Sequence, residues 1–319
     1  MAKKPQIIAL EEHYADAEIQ ATFQGFDANR GPAMVERLLD VATVRLREMD
    51  EAGIDLQVLS HTAPSVQKLD PESAVRLARG ANDRLYETVR AHPTRFAGFA
   101  ALPTPDPNAA ADELERTVTK LGFKGAMVHG LTHNRFLDEK AFWPIFERAQ
   151  ALDVPLYMHP AVPHPAVIDA YYKDYAKEWP MLLRAGWGFT AETALAAIRV
   201  VLSGVLDEYP KTRIILGHLG EGLPFFLWRI THSLARQGRD VKSFRDYFCE
   251  HFHVTTSGFF SNSALLCTMM EMGIDRILFS VDYPFVENTL GTKWLDTVPL
   301  SAEDKAKLMS GNAKRLLKL

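Results

Sequence analysis

Cysteine is scarce in this sequence: Cys249 and Cys267 are the only two in 319 residues. Two thiols exclude a disulfide framework. A chain this long buries a sizeable core without staples, so free thiols in a reducing cytoplasm are expected. Long apolar runs are also missing. Gln6–Leu10 and Arg276–Val281 fall far short of the ~20 residues that a bilayer span requires, so no membrane association is expected. The first residues, Met1 to Leu10, are basic but turn acidic at Glu11 and Glu12, with no signal-peptide core. There is no excess of positive charge: 36 Lys and Arg stand against 40 Asp and Glu, a formal charge of -4. That balance speaks against nucleic acid as a partner. No repeat, low-complexity tract or compositional boundary is evident, and residues 1–319 read as one domain. What is present, 47% hydrophobic and 24% charged residues, is the composition of a globular protein.

Short apolar runs recur along the chain. Candidate strands are Gln6–Leu10, Leu56–Ser60, Phe96–Ala101, Gly125–His129, Pro155–His159, Arg213–Gly217, His253–Thr256 and Arg276–Ser280. Each suits a strand buried on both faces. Between them lie stretches of helical period: Ala33–Ala52, Glu72–Ala91, Ala109–Leu121, Lys140–Leu152, Ala191–Glu208, Leu223–Arg236, Ser261–Met272 and Ala302–Leu317. Eight strand–helix alternations of this length predict an α/β protein, a closed (β/α)8 TIM barrel. The first strand runs into Glu-Glu-His-Tyr, without the Gly-x-Gly-x-x-Gly of a dinucleotide site. Two connections are long: Glu12–Pro32, with Phe23 and Phe26, and Pro160–Thr190, with Tyr171, Tyr172, Trp179 and Trp187. The aromatic-rich insertion after strand five reads equally as a pocket wall and as a subunit contact.

Active sites of such barrels lie at the C-terminal ends of the strands. Strand one ends in Glu11-Glu12-His13, strand five in His159 and strand eight in Ser280-Val281-Asp282. Glu11 and His13, two apart in extended chain, share a side. One histidine at a strand end is more often structural than a ligand. Four compatible residues on three strands are a better sign, and Glu11, His13, His159 and Asp282 suit a divalent metal. His251 and His253 have the same spacing but enter strand seven at the opposite end, and read as structural or solvated. His61 and His129 end strands two and four and are possible pocket residues. Cys267 falls in an apolar helix and reads as core. The run Arg236–Arg245 is mixed in charge and reads as a solvated loop.

With these residues the sequence resembles the amidohydrolase superfamily. The branch is that of aminocarboxymuconate semialdehyde decarboxylase and the nonoxidative hydroxybenzoate decarboxylases, of the γ-resorcylate and 2,3-dihydroxybenzoate kind. The likeness is carried by Ala-Leu-Glu-Glu-His-Tyr (9–14), Leu-Asp-Val-Pro-Leu-Tyr-Met-His-Pro (152–160), Ile-Ile-Leu-Gly-His-Leu-Gly-Glu-Gly-Leu-Pro-Phe (214–225), Trp-Arg-Ile (228–230), Val-Thr-Thr-Ser-Gly (254–258) and Arg-Ile-Leu-Phe-Ser-Val-Asp-Tyr-Pro-Phe (276–285). It extends through almost the whole chain. The resemblance implies Glu11, His13, His159 and Asp282 as metal ligands, with Asp282 also the acid–base group. It implies His218 as a catalytic histidine paired with Glu221. Strand four offers no lysine to bridge a second ion, so one divalent metal per subunit is implied, zinc or manganese with magnesium possible, and no organic cofactor. Thr231 follows Trp-Arg-Ile where many relatives carry Asp.

The chemistry implied is decarboxylation of an ortho-hydroxy aromatic acid. Asp282 protonates the carboxyl-bearing carbon and carbon dioxide leaves. Phe285, with Phe23 and Trp187 from the insertions, would flank the ring, although Phe285 reads equally as core packing. Arg229 would hold a carboxylate or support an interface. The partners implied are a small aromatic acid and further copies of the chain, as a homodimer or homotetramer. The same ligands also suit a metal-dependent hydrolase of a lactone, ester or amide, which the fold does not separate from a decarboxylase. A noncatalytic barrel has no need of four ligands at one mouth.

Overall fold

A computed structural model of the chain describes residues 5–235 and 242–319. Eight parallel strands form a ring, each joined to the next by a helical crossover. They are β1 (Ile8–Tyr14), β2 (Leu56–His61), β3 in two pieces (Phe96–Gly98 and Ala100–Ala101), β4 (Ala126–His129), β5 (Leu156–His159), β6 (Ile214–Leu216), β7 (Phe252–Thr255) and β8 (Ile277–Leu278). Parallel ladders link neighbours from β1 through β8. At Phe99 the third strand changes partner: the Phe99 amide donates to Leu59 O, and the next amide, Ala100, to Gly125 O. The barrel interior is filled by Ile8, Leu10, Leu56, Val58, Phe99, Met127, Tyr157, Ile215 and Leu278. The opposite strand faces pack on the helices through Ala9, Leu59, Phe96, Val128, Ile214 and Val254. The expected (β/α)8 barrel is therefore present, and no described helix is long and apolar enough to cross a membrane.

The principal helices are α1 (Thr43–Ala52), α2 (Pro71–Ala91), α3 (Pro107–Leu121), α4 (Trp143–Leu152), α5 (Gly188–Ser203), α6 (Leu223–Leu234), α7 (Phe244–His251), α8 (Asn262–Met272), α9 (Asn288–Thr297) and α10 (Asn312–Leu317). Two predicted helices are broken. Ala33–Ala52 is a first segment, Pro32–Leu39, followed by α1. Asp40 causes the break: its carboxylate accepts from the amides of Val44 and Arg45, satisfying donors at the new N-terminus. Ala191–Glu208 is interrupted at Gly204, whose φ of +86° ends α5. Of the Arg236–Arg245 run, residues 236–241 lie outside the described residues, and Ser243 caps α7. His251 and His253 are buried, the former bonded to Thr212 O, so that pair is structural.

Glu11 and His13 lie inside β1, which runs past the predicted end at Leu10. A β-bulge falls here: Ala9 pairs with Gln57 but Glu12 with Leu59, an extra residue in β1. The bulge inverts the alternation. Leu10 faces the barrel interior, and so does Glu11, whose carboxylate accepts from the interior Tyr157 hydroxyl. Glu12 is thereby turned outward, between barrel and helices.

At the β8–β1 seam no ladder is present among the described residues. The Glu12 carboxylate fills that place. It accepts from the amides of Val281 (2.8 Å) and Tyr283 (3.2 Å) and from Ser280 Oγ (3.1 Å). The Glu11 amide donates to Ser280 Oγ and the His13 amide to Tyr283 O. Buried Arg45 lies over the Tyr283 ring and donates to His13 O and to Gln57, whose amide reaches back to Glu12. Burial pushes the Glu12 carboxyl up to about 8, against the pull of these amides and of Arg45. Glu12→Ala strands two buried amides and should cost about 3 kcal/mol. Urea denaturation should show this as a lower midpoint with an unchanged slope; a loss under 1 kcal/mol would show the seam closing without it.

Candidate metal centre

Ligand atoms of Glu11, His13, His159 and Asp282 all lie within 4.8 Å of one another. The strands set this arrangement. Past the bulge, Glu11 and His13 share the inner side of β1, and His129 and His159 are paired across β4 and β5. Asp282 follows β8 in a left-handed conformation, φ +76°, held between the two amides that Glu12 fixes. Glycine makes room on two sides. A Cβ on Gly217 would meet Glu11 Oε2 at 2.8 Å, and one on Gly258 would meet Asp282 Oδ2 at 3.2 Å.

Hydrogen bonds fix which nitrogen each histidine presents. His159 Nδ1 is 2.6 Å from Pro160 O and must donate its proton there, leaving Nε2 an acceptor 3.1 Å from Glu11 Oε1. His13 Nδ1 lies against Ser60 Oγ, while Nε2 is 3.3 Å from Asp282 Oδ1. Glu11 Oε1 and His13 Nε2 are buried with no hydrogen-bond partner. Two converging, unpartnered atoms amid carboxylate oxygens and oriented imidazoles fit a divalent cation.

The electrostatics agree. Burial opposes the charge on Glu11, yet His218, His13 and His159 hold its pKa well below the usual carboxylate range. Burial would lower His13, but Asp282 and Glu11 raise it to about 9. His218 is likewise raised to about 10, mainly by Glu221 and Glu11 against the effect of burial. The carboxylates thus create a strong demand for positive charge at the mouth. His159 and His129 go the other way, lowered chiefly by burial.

His218 sits beside the cluster, its Nε2 3.8 Å from Glu11 Oε1. Its Nδ1 donates to Glu221 Oε1 at 2.7 Å, and Glu221 Oε2 accepts from Thr190 Oγ1. His218, Leu219 and Glu221 all have φ near +50°, a tight turn that aims the imidazole inward.

A cavity of about 110 Å³ opens on this cluster. Its size is of the order of the ~150 Å³ void that holds a benzene ring. His159, His218, Asp282 and Phe285 line its floor; Asp27, Arg30, Met181, Arg184 and Phe189 come from the two insertions. The insertion after β5 is thus a pocket wall. Of the residues expected around a substrate, Phe285 lines the cavity, and Phe23 lies beneath Arg30, ring to guanidinium 5.6 Å. Trp187 and Arg229 are not brought there: Trp187 is 52% exposed on the outer side of its loop, and Arg229 is exposed on α6. Neighbours along the chain carried no sign of which way these side chains face. His61 and His129 are buried nearby, His129 with its ring 5.0 Å from that of His159. Arg30 and Arg184 escaped the sequence reading because isolated arginines in irregular segments have no pattern to betray them.

The chain belongs to the amidohydrolase family, whose model matches residues 36–319. Among its relatives is the γ-resorcylate decarboxylase of Polaromonas sp. (strain JS666 / ATCC BAA-500), 45% identical with 98% of each chain covered. The fold matches a crystal structure of a dihydroxybenzoic acid decarboxylase from Polaromonas sp. JS666, with bound manganese and the inhibitor 2-nitroresorcinol. The TM-score is 0.90, identity 42%, and coverage 99% of this chain and 97% of that one. A 2,6-dihydroxybenzoate decarboxylase complexed with 2,6-dihydroxybenzoate gives 0.89 at 40% identity, covering 99% and 100%.

Metal analysis of the purified protein should find about one divalent ion per chain. Glu11→Gln and His13→Ala should lose most of it, whereas His218→Ala should retain it. Loss of metal in His218→Ala would place His218 among the ligands.

Proposed function

We propose that the protein is a metal-dependent, nonoxidative decarboxylase of a hydroxybenzoate with a hydroxyl ortho to the carboxylate. One observation carries this reading: Asp282 belongs to the four-residue cluster and also lines the floor of a cavity sized for one aromatic ring. The manganese and ring ligands of its relatives support it.

Glu11, His13, His159 and Asp282 are the residues that hold the ion. Bound there, it would supply a positive charge that stabilises phenolate character in the substrate. The Phe285 ring, tilted against His13 at 5.7 Å, provides a flat wall for the substrate ring. Asp282 delivers a proton to the carboxyl-bearing carbon; the bond to the carboxylate then breaks, and its electron pair restores the aromatic ring. His218, kept cationic by Glu221, stands on the same floor and is placed to return a proton to Asp282 after each turnover. The two free thiols suit a cytoplasmic setting.

Asp282→Asn keeps an oxygen ligand but has no proton of suitable acidity. Metal content should fall only in part while carbon dioxide release from ortho-hydroxybenzoates falls by roughly 10²-fold or more. Near-normal release by this variant would remove Asp282 as the donor. Hydrolysis of esters or lactones by the parent protein, with no decarboxylation, would overturn the reaction.

We further propose a homodimer or homotetramer. Trp179, Trp187, Phe225 and Trp228 are all more than half exposed, and Arg229 lies among the last two on α6. A lone chain would present this aromatic surface to water. Light scattering should give a mass of two or four chains at micromolar concentration; a stable monomer would contradict it.

A further inference from the structure

The reading above employs the floor of the cavity and leaves its roof unexplained. Two arginines reach in from the insertions, Arg30 from the segment after β1 and Arg184 from the segment after β5. Every hydrogen bond that their guanidinium groups make among the described residues goes to a neutral oxygen. Arg30 donates to Asp27 O, Thr62 Oγ1 and Ala63 O, and Arg184 to Phe26 O. A guanidinium has five N–H donors, so each keeps some free. Aromatic faces hold both in place: Arg30 lies between the Phe23 and Phe285 rings, at 5.6 and 5.5 Å, and Arg184 lies 4.2 Å over Phe26.

Of the two acidic side chains in the lining, Asp282 belongs to the cluster on the floor, and Asp27 is already paired with Lys68 at 2.6 Å. Two partly buried guanidinium groups thus face one small cavity, and the cluster carboxylates Asp282 and Glu11 lie against the imidazoles of His13 and His159. Burial, with the charge of Arg184 adding to it, lowers Arg30 to about 10, and burial lowers Arg184, in both cases against the opposing charge of Asp27, itself shared with Lys68. Both remain cationic at neutral pH. Such an arrangement is unfavourable by itself and is relieved by an anion between the forks.

The reacting carboxylate cannot be that anion if it meets Asp282. The cluster and Asp282 stand on the strand ends, whereas the arginines hang from the insertions, with Phe285 between Arg30 and His13. We propose that the substrate is an aromatic dicarboxylate: a hydroxybenzoate whose second carboxylate, on the ring edge away from the metal cluster, is held by Arg30 and Arg184. This rests on the decarboxylase reading and narrows its substrate class. The second carboxylate passes through the reaction unchanged, and the product is a hydroxylated monoacid.

The test compares salicylate with 4-hydroxyisophthalate and 2-hydroxyterephthalate, which carry a second carboxylate meta and para to the reacting one. With the manganese-loaded protein, kcat/KM for the better diacid should exceed that for salicylate by about 10- to 100-fold, the scale of charge-assisted hydrogen bonds. Arg184→Gln and Arg30→Gln should each bring that ratio close to one. Arg30 also anchors Thr62 and Ala63, so Arg184→Gln is the cleaner variant. Calorimetric binding of isophthalate against benzoate reads the same preference without turnover. Equal treatment of monoacid and diacid in both measurements overturns the proposal, as does a ratio that survives both substitutions. Tighter binding of isophthalate with no decarboxylation of any acid would overturn the reaction and leave the arginine assignment standing.

Discussion

The arrangement depends on one buried carboxylate. Around most of the ring, neighbouring strands are joined by backbone ladders, which fix them but also dictate their course. At the β8–β1 seam the ladder is absent and Glu12 supplies acceptors in its place. The consequence is local freedom where chemistry needs it. Strand β8 is two residues long, and the chain beyond it turns at Asp282 into a conformation no ladder would tolerate. Glu12 holds the amides on either side of that turn and is itself flanked in sequence by Glu11 and His13. Three members of the cluster are therefore referenced to one side chain.

That linkage explains which parts of the site were legible in the sequence. The strand ends could be found because apolar runs buried on both faces are distinctive, and Glu11 and His13 share a side by simple alternation. The bulge could not be found. Alternation counted from Ile8 and Leu10 would send Glu12 inward with them, and only cross-strand pairing with Gln57 and Leu59 shows the phase inverted. The break at Asp40 was hidden for a related reason: a helical stripe continues across it, and capping is decided by whether the carboxylate finds the amides of Val44 and Arg45, four and five residues on. Trp187 and Arg229 are the converse case. Their residue types suit a ring and a carboxylate, but type does not tell which face of a loop or helix turns outward.

The histidines are set by hydrogen bonds beyond the cluster, not by their own position alone. A backbone carbonyl takes the His159 Nδ1 proton and Glu221 takes that of His218. The tautomer is thereby chosen before any ligand arrives, so Nε2 of His159 faces Glu11 as an acceptor. His218 has the opposite character. Its Nδ1 proton goes to a carboxylate, and that partner keeps the ring cationic. Two imidazoles of the same type, a few ångströms apart, thus differ in charge because one leans on a neutral carbonyl and the other on a carboxylate.

Strands and insertions answer for different things. The cluster is carried on strand ends, where small displacements are resisted by a packed barrel. The roof is carried on two irregular segments that meet at the Arg184 bond to Phe26 O, with the Phe26 ring beneath the guanidinium. Sequence can therefore change in the roof without disturbing the placement of Asp282. The reverse does not hold, because His159 is followed at once by the segment leading to Arg184, and Phe285 lies three residues beyond Asp282. The roof inherits its position from the floor, so the shape of the cavity can vary only within the reach that the strands carrying the cluster allow it.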